Sequence, residues 1–163
     1  MKWNFIHDLQ RIYAYMDCLE ENTIERDYPL IWERIHATSC AQIGRMLAEM
    51  RGVDTELAAI TCALHDMGRW VSGRQNDHAP KGEEPVRRFL MEGTMDDDTR
   101  EQIVQAVINH SKKDQVGSEL EEIVKDADIL DCYWYGEKIA KVHHAARLQR
   151  TLKDLGIHSL REG

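Results

Sequence analysis

Proline and glycine are scarce in this 163-residue chain, at three and ten residues. So few turn formers argue against a turn-rich all-β design and leave room for long helices. Cysteine is sparse too: Cys18, Cys40, Cys62 and Cys132 stand far apart, with no C-x-x-C pair. That spacing offers no zinc knuckle or dithiol motif, and reduced core thiols are expected instead. No apolar run approaches the roughly 20 residues that span a bilayer, so no membrane partner is expected. The opening Met-Lys-Trp-Asn-Phe-Ile-His-Asp lacks the apolar stretch and small-residue cleavage site of a secretory signal, and a cytoplasmic location is the expectation. Basic residues are outnumbered 21 to 29, for a formal charge of −8. This opposes general attraction to nucleic-acid phosphates, and no nucleic-acid partner is expected. A small phosphorylated ligand is not excluded, because a bound cation reverses the field locally.

What is present reads at helical period almost throughout. With 42% hydrophobic and 31% charged residues, the chain has the balance of a globular protein. A first helix is expected over about 3–21, with Trp3, Ile6, Ile12, Tyr13, Met16 and Leu19 inward. Pro29 suits the first turn of a second helix carrying Ile31, Ile35, Ile43, Met46 and Leu47, with Gly52 at its end. Asp54 or Thr55 caps a third helix, which carries Leu57, Ile60 and Leu64 and should stop near Gly68. Residues 71–80 read as a polar loop, followed by a helix over about 83–92 closed by Gly93. Asp98 with Glu101, and Ser118 with Glu121, resemble capping boxes for two further helices. A last amphipathic helix is expected over about 137–155, ending at Gly156. No repeat or linker interrupts the chain, so 1–163 reads as a single all-α domain.

Eight histidines invite a search for metal ligands. His36 lies in the second helix, and His65-Asp66 closes the third. His78 falls in the polar loop, His110 at a helix end, and Asp128 within Asp126-Ala-Asp-Ile-Leu-Asp131. Each adjoins an apolar stripe, and helix bundles build metal sites by converging such side chains. Imidazole and carboxylate without thiolate suit iron, manganese, cobalt, nickel or zinc, with magnesium as a further candidate. Such a donor set retains open positions for water and substrate, as hydrolytic sites do. Asp66 has the two oxygens needed to bridge a pair of ions.

The order His36, His65-Asp66, Asp128 resembles the H…HD…D signature of the HD superfamily of metal-dependent phosphohydrolases. The local text agrees. Leu64-His65-Asp66-Met67-Gly68-Arg69 resembles its L-H-D-I-G-K segment, and Asp126-Ala127-Asp128-Ile129-Leu130-Asp131 its D-A-D-x-L-D. His78-Ala-Pro-Lys-Gly82 resembles an H-x-x-x-G element, and Ile108-Asn109-His110 an I-x-x-H. The resemblance covers about residues 29–135, with flanking helices at both ends, and implies a compact HD-type helical domain. With two intervening histidines, it implies the H…HD…H…H…D subset that holds two metals. His36, His65, Asp66 and Asp128 would form one site, and His78, His110 and a bridging Asp66 the other. Simpler members hold one ion. The extended elements of members acting on cyclic dinucleotides are not evident.

The implied function is hydrolysis of a phosphate ester or anhydride of a small molecule, a nucleotide foremost, by a hydroxide formed at the metal. Arg69 and Lys81 are candidates to assist Asp66 by pairing with substrate phosphate; Arg69 reads equally well as a surface arginine near a helix C-terminus, and Lys81 is the weaker phosphate candidate of the two. Two alternatives remain: a mixed-valent di-iron oxygenase of HD type, and a non-catalytic domain that binds a nucleotide or protein partner. Asp131, one turn beyond Asp128, is a candidate to orient a ligand. His7-Asp8 has no upstream histidine and reads as an ordinary helix-face pair. His143 and His144 read as a solvated face, since adjacent helical residues point about 100° apart. Trp70 and Tyr133-Trp134-Tyr135 read as core or dimer packing before base stacking, and a homodimer is one of the open association states.

Overall fold

The computed structural model describes residues 4–20 and 24–158, and Trp3 lies outside them. Among the described residues the chain forms helices and no strands. Three long early helices set the frame: α1 (Phe5–Glu20), α2 (Leu30–Arg51) and α3 (Thr55–Leu64). Every residue of α3 from Ala58 to Leu64 is buried, as expected of a helix apolar all round. The short α4 (Met67–Ser72) and α5 (His78–Lys81) follow, then α6 (Glu83–Met91), α7 (Asp97–Asn109), α8 (Glu119–Trp134) and α9 (Val142–Asp154).

The third helix does not run to Gly68. It stops at Leu64, and the chain restarts as α4 after the His65-Asp66 step, with Asp66 at φ −97°, ψ 12°. The polar loop is likewise shorter than expected, because His78 begins α5 rather than lying in coil. The cap of α7 is Asp96, whose carboxylate accepts from Thr99 N–H, in place of the Asp98–Glu101 box. Asp54 and Ser118 do cap α3 and α8. The last helix starts only at Val142, and residues 137–141 form a connection. Ile6, expected inward, is 69% exposed, while its neighbour Phe5 is buried. On α2 the face holding Ile31, Ile35 and Met46 is exposed, and Leu30, Ile43 and Leu47 turn inward. The thiols are all free, but Cys18 lies on the surface rather than in the core.

Two apolar clusters make one compact all-α domain. Ile12, Met16, Ile60, Leu64, Trp70 and Ile103 belong to the first, and Leu47, Cys62, Ile123, Leu130 and Leu152 to the second. Because α3 feeds both, its C-terminal end lies between them. The His65-Asp66 step is therefore central and rigidly held. α9 is fixed against α8 by the buried Arg147, which pairs with Glu122 and Asp126 and donates to the Lys113 carbonyl. Removing one partner of such a buried network is costly, because the remaining charges lose compensation.

Candidate metal centre

The break after Leu64 gives the centre its position. Asp66 leaves helical geometry, yet its carbonyl still accepts from the Arg69 and Trp70 amides, so α4 starts at once and in a new direction. Gly68 then lets α5 close in. A Cβ there would overlap the His78 carbonyl oxygen and sit 2.5 Å from Gly82 N. Gly82 in turn lies against α7, where a Cβ would stand 2.9 Å from Val107. These two glycines let α4, α5 and α7 cross closely enough for His78 and His110 to reach Asp66. Asp77, just before His78, adopts a left-handed φ of 54° that sets the entry into α5.

Four imidazoles are oriented by one device. His36 Nδ1 bonds the Asp131 carboxylate at 2.6 Å, and His65 Nδ1 the Cys62 carbonyl at 2.7 Å. His78 Nδ1 bonds the Gln75 carbonyl at 2.7 Å, and His110 Nδ1 the Val107 carbonyl at 2.6 Å. Since each acceptor demands a hydrogen on Nδ1, each neutral ring carries its lone pair on Nε2. All four Nε2 atoms converge on Asp66. His36 and His65 stand 3.3 and 3.2 Å from Asp66 Oδ2, and 3.3 and 3.6 Å from Asp128 Oδ1. His78 and His110 stand 3.0 and 3.5 Å from the other Asp66 oxygen, Oδ1.

This donor set fits a divalent ion. His65 Nε2 and Asp66 Oδ1 are buried and make no properly directed hydrogen bond, a costly arrangement unless a cation accepts their lone pairs. His78 and His110 also face each other Nε2 to Nε2 at 2.9 Å, two lone pairs that repel unless a positive charge lies between them. The contacts divide into an inner set (His36, His65, Asp66 Oδ2, Asp128 Oδ1) and an outer set (His78, His110, Asp66 Oδ1). Cys40 Sγ is near the inner set, but burial pushes its thiol up to about 12, and it lies beside the His36 ring at 3.6–3.8 Å. A neutral thiol there is a packing neighbour.

Electrostatics separate the two sets. Burial by itself would lower His65, but the charges of Asp66 and Asp128 lift it to about 9. His36 is held well above its ordinary value against the same burial, by neighbouring Cys40 and by Asp128, Asp131 and Asp66. His110, with one carboxylate near, goes the other way, and burial drops it to about 4. Asp66 stays well below the usual carboxylate range despite burial, because Arg69 and the histidines surround it. Asp128 does so through Lys113, His36 and His65.

The other expected site residues fall in different places. Arg69 is buried, donates through Nε and Nη2 to both Glu33 oxygens at 2.7 and 2.8 Å, and reaches Gln75 and Asp66. Its guanidinium also lies over the Tyr28 ring. Lys81 is exposed and donates to the Asn76 carbonyl at 3.0 Å, and it does not line the cavity over the centre. Lys113 does. It is buried, contacts Asp128 Oδ2, and donates to the His110 carbonyl. Glu33 and Lys113 went unnoticed in the sequence. The available signals were spacings of one helical turn, from Glu33 to His36 and from His110 to Lys113. Trp70 is fully buried in the core, and Trp32 is the tryptophan that lines the cavity. His144, read as part of a solvated face, lines it as well.

The cavity is about 310 Å³ and opens directly onto His36, Asp66, His78, His110 and Asp128. It suits a small molecule rather than a polymer. An all-helical domain with converging imidazoles and a shared carboxylate is a metal-site helical fold by construction. The comparisons agree with this class: the HD domain model matches residues 34–132, which span all six converging residues. The chain belongs to the HD domain family. No curated protein and no solved structure matches it. Membership carries metal-dependent hydrolase-type activity as its general expectation. No helix among the described residues is long and apolar enough to cross a membrane.

Proposed function

We propose that the protein hydrolyses a phosphate ester or anhydride of a small molecule, a nucleotide foremost, at a two-ion centre. One observation carries this reading: four buried imidazoles, each anchored at Nδ1, turn Nε2 toward the two oxygens of one aspartate within a single cavity. His36, His65, Asp66 and Asp128 would hold one ion, and His78, His110 and Asp66 the other. Divalent ions bound there supply Lewis-acid charge neutralisation and acidify a water.

The remaining roles follow from where each side chain is committed. Arg69 uses its donors on Glu33, Gln75 and Asp66, so it positions Asp66 and keeps it ionised. Lys113 stands at the cavity wall beside Asp128 and is the cation best placed to meet a substrate oxygen. It takes the role considered for Lys81. Trp32 and Tyr28 offer ring surface to the leaving portion of the substrate. The same six residues would also hold two irons, which keeps a mixed-valent di-iron oxygenase as the second reading.

Metal analysis of protein purified without added metal, paired with a phosphatase and nucleotide screen, tests the proposal. Two equivalents of metal and metal-dependent phosphate release are expected, both lost in Asp66→Ala. Less than about half an equivalent with no metal-dependent activity would overturn it. Oxygen consumption with a carbon substrate, without phosphate release, would establish the second reading.

A further inference from the structure

The cavity has a wall that the family match does not include. Residues 137–141, between α8 and α9, and His144 in the first turn of α9 line it. The match ends at residue 132, so this wall belongs to the chain's own C-terminal segment. It is unusually rich in groups of one sign. Lys138 and Lys141 line the cavity, are exposed, and have no ion-pair partner among the described residues. His144 lines the cavity half-buried, and burial with the nearby charges of Lys113, His143 and Lys141 drops it to about 4.

The carboxylates near this wall are committed or displaced. Asp128 contacts Lys113 and faces His36 and His65. Glu137 also lines the cavity, but on the side of Tyr28 and Cys132, whose ionisation its charge opposes. The Lys141 side thus holds two exposed lysines without an ion-pair partner around open volume, and Asp128, the carboxylate whose charge reaches His144, is already engaged by Lys113. In a chain of net charge −8, such a local excess is contrary to the general field. Cations facing one cavity repel each other unless an anion enters.

We propose that this wall is a second anion subsite, so that the substrate carries another phosphate or carboxylate besides the phosphoryl group at the metal centre. Lys138 and Lys141 bind this distal group, and the neutral His144 donates or accepts a hydrogen bond beside it. The phosphoryl group that reacts lies against Asp66 and Lys113, and the distal one sets which molecules are accepted. This assignment rests on the hydrolase reading for the identity of the first group, but the subsite itself does not require turnover.

Calorimetric titration of the manganese-supplied protein with two non-hydrolysable probes tests it: propylphosphonate, with one anionic group, and propane-1,3-diyl bisphosphonate, with two. The bisphosphonate should bind about tenfold more tightly through the subsite, and Lys138→Ala/Lys141→Ala should lower the ratio of the two affinities about tenfold. Any metal chelation by the probe is common to wild type and variant, so it cancels in the comparison. Both lysines are exposed, and an unchanged circular-dichroism melting curve shows that the variant folds. A third probe, 3-phosphonopropanoate, separates the distal groups: tighter binding than the bisphosphonate assigns a carboxylate, and weaker binding assigns a phosphate. Equal affinity for the one- and two-anion probes in the wild type overturns the subsite, as does a preference left undiminished by the double substitution. Failure of the hydrolase reading looks different, namely no metal bound and no phosphate release from any substrate.

Discussion

The inner and outer halves of the centre share Asp66 and differ in nearly everything else. The inner half places two imidazoles against two carboxylate oxygens, one from Asp66 and one from Asp128. The outer half places two imidazoles against one oxygen, Asp66 Oδ1. The protonation tendencies follow that count, with His65 lifted to about 9 and His110 lowered to about 4. An extra carboxylate raises cation affinity of every kind, for a proton or for a metal. On the proposed two-ion reading, this difference makes the halves unequal: the inner set would bind its ion first and more tightly, and the outer set would hold the exchangeable one.

Asp66→Ala should abolish the comparison altogether, because it removes an oxygen from each half. Bound metal should fall from two equivalents to less than about half, and phosphate release should fall about 10³-fold or more, measured by elemental analysis and steady-state rates. Separating the halves is the next largest effect. Asp128→Asn should lose the inner ion, whereas His110→Ala should keep one tightly bound equivalent and lose only the weaker one. If His110→Ala retains both, the outer set is not a site.

Asp131→Asn addresses the inner half alone, since Asp131 fixes the His36 ring through Nδ1 at 2.6 Å. Competition with a chromogenic chelator should show inner affinity reduced about 10–100-fold, with the outer constant unchanged. The smallest effect is that of pH. A histidine must be neutral to ligate, and His65 keeps its proton up to about pH 9, so inner affinity should rise with pH across the neutral range, about tenfold per unit for each proton displaced. His110 is already neutral above about pH 4, so its protonation imposes no such slope on the outer half. Titrations in buffers of different ionisation enthalpy would count the protons released. A pH-independent inner constant would contradict the charge balance described above.

The helices were largely legible because apolar period and capping chemistry are local. Ser118 caps α8 through an N–H three residues away, and Asp54 caps α3 in the same way. The misreadings arose where distant packing intervened. Period alone carries α3 through to Gly68, but contact with α5 requires the chain to turn at Asp66. Likewise, the exposed Ile6 and buried Phe5 reflect where α1 meets its neighbours, which no window of α1 contains. In the site, the histidines and aspartates stand out because their residue types and order match a motif. Glu33 and Lys113 do not, since a single glutamate or lysine on a helix is ordinary until Arg69 or Asp128 is brought against it.

By itself, then, the sequence determined the helical class, the placement of most caps, and the donors available for a metal: four imidazoles and two carboxylates with no thiolate pair. Those are properties of residue type and near spacing. The resemblance already implied how the donors divide into two sets; only the tertiary structure decided that the sets differ in their carboxylate surroundings, which cations stand beside them, and what closes the cavity. These depend on α4, α5 and α7 crossing at Gly68 and Gly82, and on Arg147 holding α9 to α8 and to the Lys113 carbonyl. The strength of a buried charge pair is set by separation and solvent exclusion, and both come into being only when residues far apart in the chain are packed together.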